Sequence, residues 1–219
     1  MACGAQHLHR REGPGHSVTD GQRGLLELDA EVMRALLAEL DERLRARNVK
    51  ASIYVVGGAA MSLAYGRDSV TLDIDAIASH RAVGEEAQAI AKLHGLPEHW
   101  LNSASEGWVP PRPSSARRRP TELGLTVHVA PADHVLAMKL VALRRKDRPD
   151  IRLLIAHLGM AEATPEDYAG LLERVYAGEG RLATALGVPG DDVAATRQEA
   201  LAIGRWAHDF AAMLRDSQD

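Results

Sequence analysis

The sequence predicts an α/β core followed by a helical C-terminal lobe, and three observations carry that prediction. Val32, Leu36, Leu40 and Leu44 recur at steps of four with Arg or Glu between them, an amphipathic helical period. The run "YVVGGAAMSLAY" sets a β-branched and aromatic segment, two glycines and a helical segment in immediate succession. From "TPEDYAGLLERVYAG" onward the pattern stays helical.

A chain of 219 residues accommodates one sizeable domain with a lobe, or two small ones. Its 26 Lys and Arg against 30 Asp and Glu give a formal charge of −4, so the total charge calls for neither nucleic acid nor a membrane. A local basic patch remains compatible with it. Cys3 is the one cysteine, the start lacks the apolar core of a signal peptide, and no apolar run reaches membrane-spanning length. A cytoplasmic protein without disulfides is expected. Residues 1–24, rich in Gly, His and charge, read as a disordered tail, with His7, His9 and His16 too irregularly spaced for a metal site. Residues 25–130 then form the α/β core and 131–219 the helical lobe.

In chain order, the first helix is expected over 29–47 and the first strand over 53–56, followed by Gly57, Gly58 and a helix over 59–65. Glycines at a strand-to-helix junction let backbone N–H groups approach a phosphate, because no Cβ blocks the way. Taken alone, the pair reads better as a tight strand-to-helix turn with no ligand. After "GRDS", residues 70–78 read as a second strand, with Leu72, Ile74 and Ala76 on one face and Asp73, Asp75 and Ile77 on the other. Aspartate is depleted in strands, so two of them roughly 7 Å apart on one face require a reason. A solvated edge is one; a divalent cation with hard oxygen ligands is the other.

Together, "GGAAMSLAYGRDSVTLDID" resembles the signature of the polymerase-β-like nucleotidyltransferase superfamily, where a glycine pair opens a helix and Asp-x-Asp follows on the next strand. The resemblance implies a mixed sheet with flanking helices and a nucleoside triphosphate as substrate. It implies phosphate contacts from Gly57 and Gly58, and Mg²⁺ (or Mn²⁺) on Asp73 and Asp75. Arg67 and Thr71 fall in the same nucleotide-binding stretch. "VLAMKLVALRRKDRPDIRLL", residues 135–154, is similar to the second half of the motif set of the AbiE-type toxin nucleotidyltransferases, with Lys139, Arg144, Asp147 and Asp150 at matching positions. "LPEHWLNSASEGW" resembles a linking segment of an uncharacterised bacterial branch of the same group, so the likeness covers roughly residues 29–160.

Several of these residues carry a second reading. Asp147 and Asp150 flank "RP" and suit the N-cap and capping box of a helix starting near residue 149. Lys139 lies in an apolar helix with Leu136, Leu140 and Leu143 as its expected core face, so it either snorkels or faces phosphate. Trp100 and Trp108 read as packing residues. Many catalytic superfamily members carry a third carboxylate on a later strand. Here the candidate strand, 125–130, turns Leu125, Val127 and Val129 inward and shows Thr126 and His128 on its other face. His128 reads as a ligand for a softer metal or as a structural histidine.

The expected reaction is metal-dependent transfer of a nucleotide from the triphosphate, with Lys139 and Arg144 stabilising charge and Asp147 as general base. "VPPRPSSARRRP" carries Arg112, Arg117, Arg118 and Arg119 and reads as an RNA or nucleotide clamp or as a solvated loop. The toxin-like resemblance suggests a tRNA or other RNA acceptor, a defence role and a cognate antitoxin partner. A non-catalytic nucleotide- or RNA-binding module and a small-molecule nucleotidyltransferase are the alternatives. Thr164 and Pro165 open one lobe helix, and a last helix over 191–214 offers Leu201, Ile203, Trp206 and Phe210 to the core.

Overall fold

The computed structural model describes residues 27–68 and 70–216. The expected tail over 1–24, with Cys3 and its histidines, lies outside the described residues.

The first helix, α1 (Ala30–Ala46), starts where the Asp29 carboxylate accepts hydrogen bonds from the backbone N–H of Glu31 and Val32, at 2.9 and 2.8 Å. It buries Met33, Leu36, Leu37, Leu40 and Leu44, whereas Val32, expected on the apolar stripe, is 36% exposed. Met33 takes its place, because residues 33, 36, 37, 40 and 44 follow the 3.6-residue period more closely than strict steps of four.

Strand β1 (Lys50–Val55) leads directly into α2 (Gly57–Ala64), with Val56 at the N-cap, so both glycines lie in the first helical turn rather than ahead of it. Strand β2 (Ile74–Ala78), α3 (Ala82–His94), the short β3 (Leu101–Asn102), the single-turn α4 (Ser114–Arg117) and β4 (Gly124–Val129) complete the core. The sheet order is β3-β2-β1-β4, with β1 antiparallel to β2 and parallel to β4, and β2 parallel to β3. This is the mixed sheet with flanking helices that the resemblance implies.

Two expected strand starts move, each for a pairing reason. Strand β1 begins at Lys50 because its parallel register with β4 runs from Lys50↔Gly124 to Val55↔Val129. The expected 70–78 strand begins only at Ile74: Thr71 instead forms an isolated bridge with Leu28, their N–H···O bonds measuring 2.7 and 3.0 Å. Leu72 is consequently 49% exposed, although the alternation holds from Ile74 onward, with Ile74 and Ala76 buried. Val127 is 39% exposed on β4, an edge strand with one paired side.

The remaining helices are α5 (Ala132–Ala142), α6 (Arg148–His157), α7 (Pro165–Val175), α8 (Arg181–Leu186) and α9 (Val193–Asp216). In α5, Leu136 and Leu140 are buried, but Leu143 is the C-cap, with φ 44°, and is 38% exposed. The helix ends before Leu143 can join its core face. Thr164 and Asp167 form a capping box at the start of α7. Helix α9 packs along α7, with Ile203 buried, Leu201 partly buried and Trp206 stacked on Phe210 at 5.1 Å between ring centroids. Among the described residues no helix is long and apolar enough to cross a membrane.

Candidate active site

The site begins at the corner between β1 and α2. Gly57 has φ 64°, a conformation that strains any residue with a Cβ, and a Cβ there would lie 3.5 Å from Asp75 Oδ2. A Cβ on Gly58 would meet Arg67 Nη1 and Thr71 Oγ1, each at 3.3 Å. The glycine pair therefore lets the start of α2 pack closely against Asp75, Arg67 and Thr71.

Asp73 sits just ahead of β2 and Asp75 within it. Asn102 Nδ2 donates to Asp73 Oδ2 at 2.9 Å, and the β3 register sets Asn102 beside Asp75. Burial, and then the neighbouring Asp73 charge, push the Asp75 carboxyl above its ordinary value; a Ser105 hydrogen bond and the Arg144 and Lys146 charges oppose them. Asn102 and Ser105 belong to "LNSAS", and nothing in their spacing singled them out. Only the β2–β3 pairing reveals their place.

The second half of the site comes from α5 and the turn after it. Lys139, 6% exposed, donates to Asp147 Oδ1 at 2.7 Å and lies 2.6 Å from Asp150 Oδ2. Asp150 Oδ1 is 3.1 Å from Arg67 Nε. Neither Asp150 contact is aligned as a hydrogen bond, so charge rather than directed bonding holds this carboxylate, which is 1% exposed. The capping expectation holds in position only: Asp147 is the N-cap residue of α6, but no side chain makes the cap hydrogen bond, because both carboxylates turn inward to Lys139. Lys139 is thus a buried, paired cation rather than a snorkelling one.

These groups converge on one cleft of about 780 Å³. Gly57, Gly58, Arg67, Thr71, Asp73 and Asp75 line one part of it, and Lys139, Arg144 and Asp147 another. Asp150 lies behind the lining. Of "RRK", Arg144 and Lys146 reach the cleft and Arg145 does not. Trp100 is a packing residue as expected, fully buried with Nε1 donating to Ala87 O at 2.9 Å. Trp108 is not: it is 58% exposed and lines the cleft, its carbonyl accepting a 3.1 Å bond from Tyr176 of the helical lobe. His128 lies on β4 in register with Tyr54 and does not line the cleft.

Two neighbouring carboxylates, Asp73 held by the Asn102 amide and Asp75 by the Ser105 hydroxyl, offer hard oxygens of the kind that Mg²⁺ or Mn²⁺ takes. Among the described residues no group of three His, Cys, Asp or Glu side chains is placed to hold a metal. A cation here would complete its shell with water and phosphate oxygens.

A family model described as "Nucleotidyltransferase of unknown function (DUF6036)" matches residues 31–158, from α1 to the end of α6, a span that contains both halves of the cleft. Neither the curated proteins nor the solved structures give a match.

Proposed function

Because the chain belongs to this family of nucleotidyltransferases of unknown function, we propose that its cleft binds a nucleoside triphosphate with a divalent cation on Asp73 and Asp75 and transfers the nucleotidyl group to an acceptor hydroxyl. The observation that supports this reading is convergence. The glycine pair, the acidic pair and the Lys139–Asp147 turn are distant in sequence and line one cleft.

In this reading the backbone N–H groups at Gly57 and Gly58 bind triphosphate oxygens, with the positive φ of Gly57 keeping the approach open. Asp73 and Asp75 would hold the cation, which would supply charge neutralisation at the phosphates. Arg144 and Lys146 add positive charge at the cleft wall, where negative charge develops on the leaving pyrophosphate. The acceptor oxygen forms a bond to the α-phosphorus as the bond to pyrophosphate breaks. Asp147 takes the acceptor proton on lone pairs not engaged by Lys139. Lys139 fixes Asp147 in place, and Arg67 and Asp150 brace it from behind.

For the acceptor we propose an RNA end, in a toxin-like or defence setting with a cognate antitoxin; the likeness of residues 135–154 to the AbiE-type enzymes supports this. A non-catalytic nucleotide-binding module is the competing reading. It is favoured by the two-carboxylate site, with His128 away from the cleft.

Incubation with each α-labelled nucleoside triphosphate, Mg²⁺ or Mn²⁺ and total RNA separates the two, run beside the Asp73→Ala, Asp75→Ala double variant. Label moved to RNA, to the protein itself or to a small acceptor by the wild type alone is the expected result. Cation-dependent nucleotide binding without transfer would sink the enzymatic reading in favour of the module.

A further inference from the structure

The arginine-rich loop does not lie where its sequence position, between the two halves of the site, suggested. Arg112, Arg117, Arg118 and Arg119 line a second groove of about 400 Å³ together with Lys50 and Ser52. Lys50 opens β1 and Gly57 follows its end, so this groove sits at the opposite end of the strand from the candidate active site. Ser52 lines this groove and Val56 the cleft, so along the strand the two linings stand roughly 13 Å apart.

Five cations here face no carboxylate in the groove lining. None of the four loop arginines has an ion-pair partner among the described residues. On α1, by contrast, Arg43, Arg45 and Arg47 lie as close together but pair with Glu39, Asp41, Glu85 and Glu86. The concentration is local, since the whole chain carries −4. The loop is also fixed in place. Ala116 of α4 is 4% exposed, Lys50 Nζ donates to the carbonyl of Thr121, and the groove floor is tied by Ser52 N–H donating to Ser79 Oγ at 2.8 Å. Holding several guanidinium groups together without counter-charges costs electrostatic energy, which a polyanion would relieve.

We propose that this groove binds the phosphodiester backbone of a nucleic-acid strand. Arginine forks match phosphate oxygens in pairs, and successive arginines match successive phosphates without reading base sequence. That the bound strand is also the acceptor rests on the transfer reaction proposed above; the groove's affinity for a phosphodiester backbone does not.

The test is binding of a labelled single-stranded RNA, and of a DNA of the same sequence, across a salt series. It compares the full chain with an Arg117→Gln, Arg118→Gln, Arg119→Gln variant and with an Arg117→Glu, Arg118→Glu, Arg119→Glu variant. Loss of three phosphate contacts should weaken binding at least tenfold and reduce the slope of log K against log salt by about 2, the charge-reversed variant losing more. Equal affinity for RNA and DNA marks a backbone reader, and preference for RNA adds ribose contacts; both support the groove. Unchanged affinity and salt slope in both variants would overturn it. So would poly-glutamate competing as well as RNA, which would assign the groove to an acidic protein. Nucleoside triphosphate binding is read in parallel. Its absence from the wild type would defeat the transfer reading while the groove stands, and its loss together with RNA binding in the glutamine variant would overturn the groove as a separate site.

Discussion

Asp75 carries a cost when it is ionised. Its folded-state pKa is raised above its ordinary value of 3.8 by burial and by Asp73, so the folded protein holds the Asp75 proton more tightly than the unfolded chain does. Stability from this group is therefore greatest at low pH. It is lost as pH rises through the window between 3.8 and the raised value, and stays lost above it. Asp75→Asn is expected to raise the melting temperature at pH 7, by an amount that shrinks towards pH 4, while removing nucleotidyl transfer. Thermal denaturation at both pH values checks this, and a lower melting temperature at pH 7 would contradict it. Added Mg²⁺ should raise the melting temperature of the wild type and leave that of the variant unchanged. Lys139 is the reverse case, a buried cation serving two buried carboxylates. Lys139→Met leaves Asp147 without its cation and Asp150 with Arg67 alone, and is expected to cost about 3–5 kcal/mol in denaturant unfolding, against well under about 1 kcal/mol for an exposed pair.

Helices α7 and α9 meet closely enough to exclude a side chain. A Cβ on Gly204 would lie 2.2 Å from the carbonyl oxygen of Pro165, and backbone cannot swing away as a side-chain tip can. Gly204→Ala is expected to destabilise by about 1–3 kcal/mol despite its better helix propensity, measurable as a lower denaturation midpoint. This contact was not legible in "AIGRW", because helix–helix approach depends on which faces meet. The elements themselves were legible wherever one period dominated: α1 from its apolar stripe, β2 from Ile74 onward, and α7 from Thr164 and Pro165. Boundaries failed where partners decided them, as when Thr71 bridged to Leu28 instead of extending β2. Asp147 and Asp150 show the same limit at a site. Capping and ion pairing use identical residue types, and only the position of Lys139 on α5 selects between them.

Across the whole molecule, β1 runs between the two sites proposed for anionic ligands. The glycine pair and acidic pair lie at its C-terminal end and the arginine groove at its start. The helical lobe completes the first of these, with Tyr176 holding the Trp108 carbonyl at the cleft wall. The cleft was legible in the motifs because glycine, paired aspartates and the lysine helix each carry their chemistry in residue type. Its rim, formed by Asn102, Ser105 and Trp108, was not, because those side chains gain meaning only from a two-residue strand and the turn after it. Nucleotidyl transfer differs from phosphoryl transfer in which phosphorus is attacked, the α rather than the γ. The measurement that tests it most directly supplies the same nucleoside triphosphate labelled either at the α- or at the γ-phosphate, with Mg²⁺ and RNA. Transfer of the α-label alone, with release of pyrophosphate and dependence on Asp73 and Asp75, is the predicted result. Transfer of the γ-label, or of neither label by a protein that binds the nucleotide, would contradict nucleotidyl transfer at this cleft.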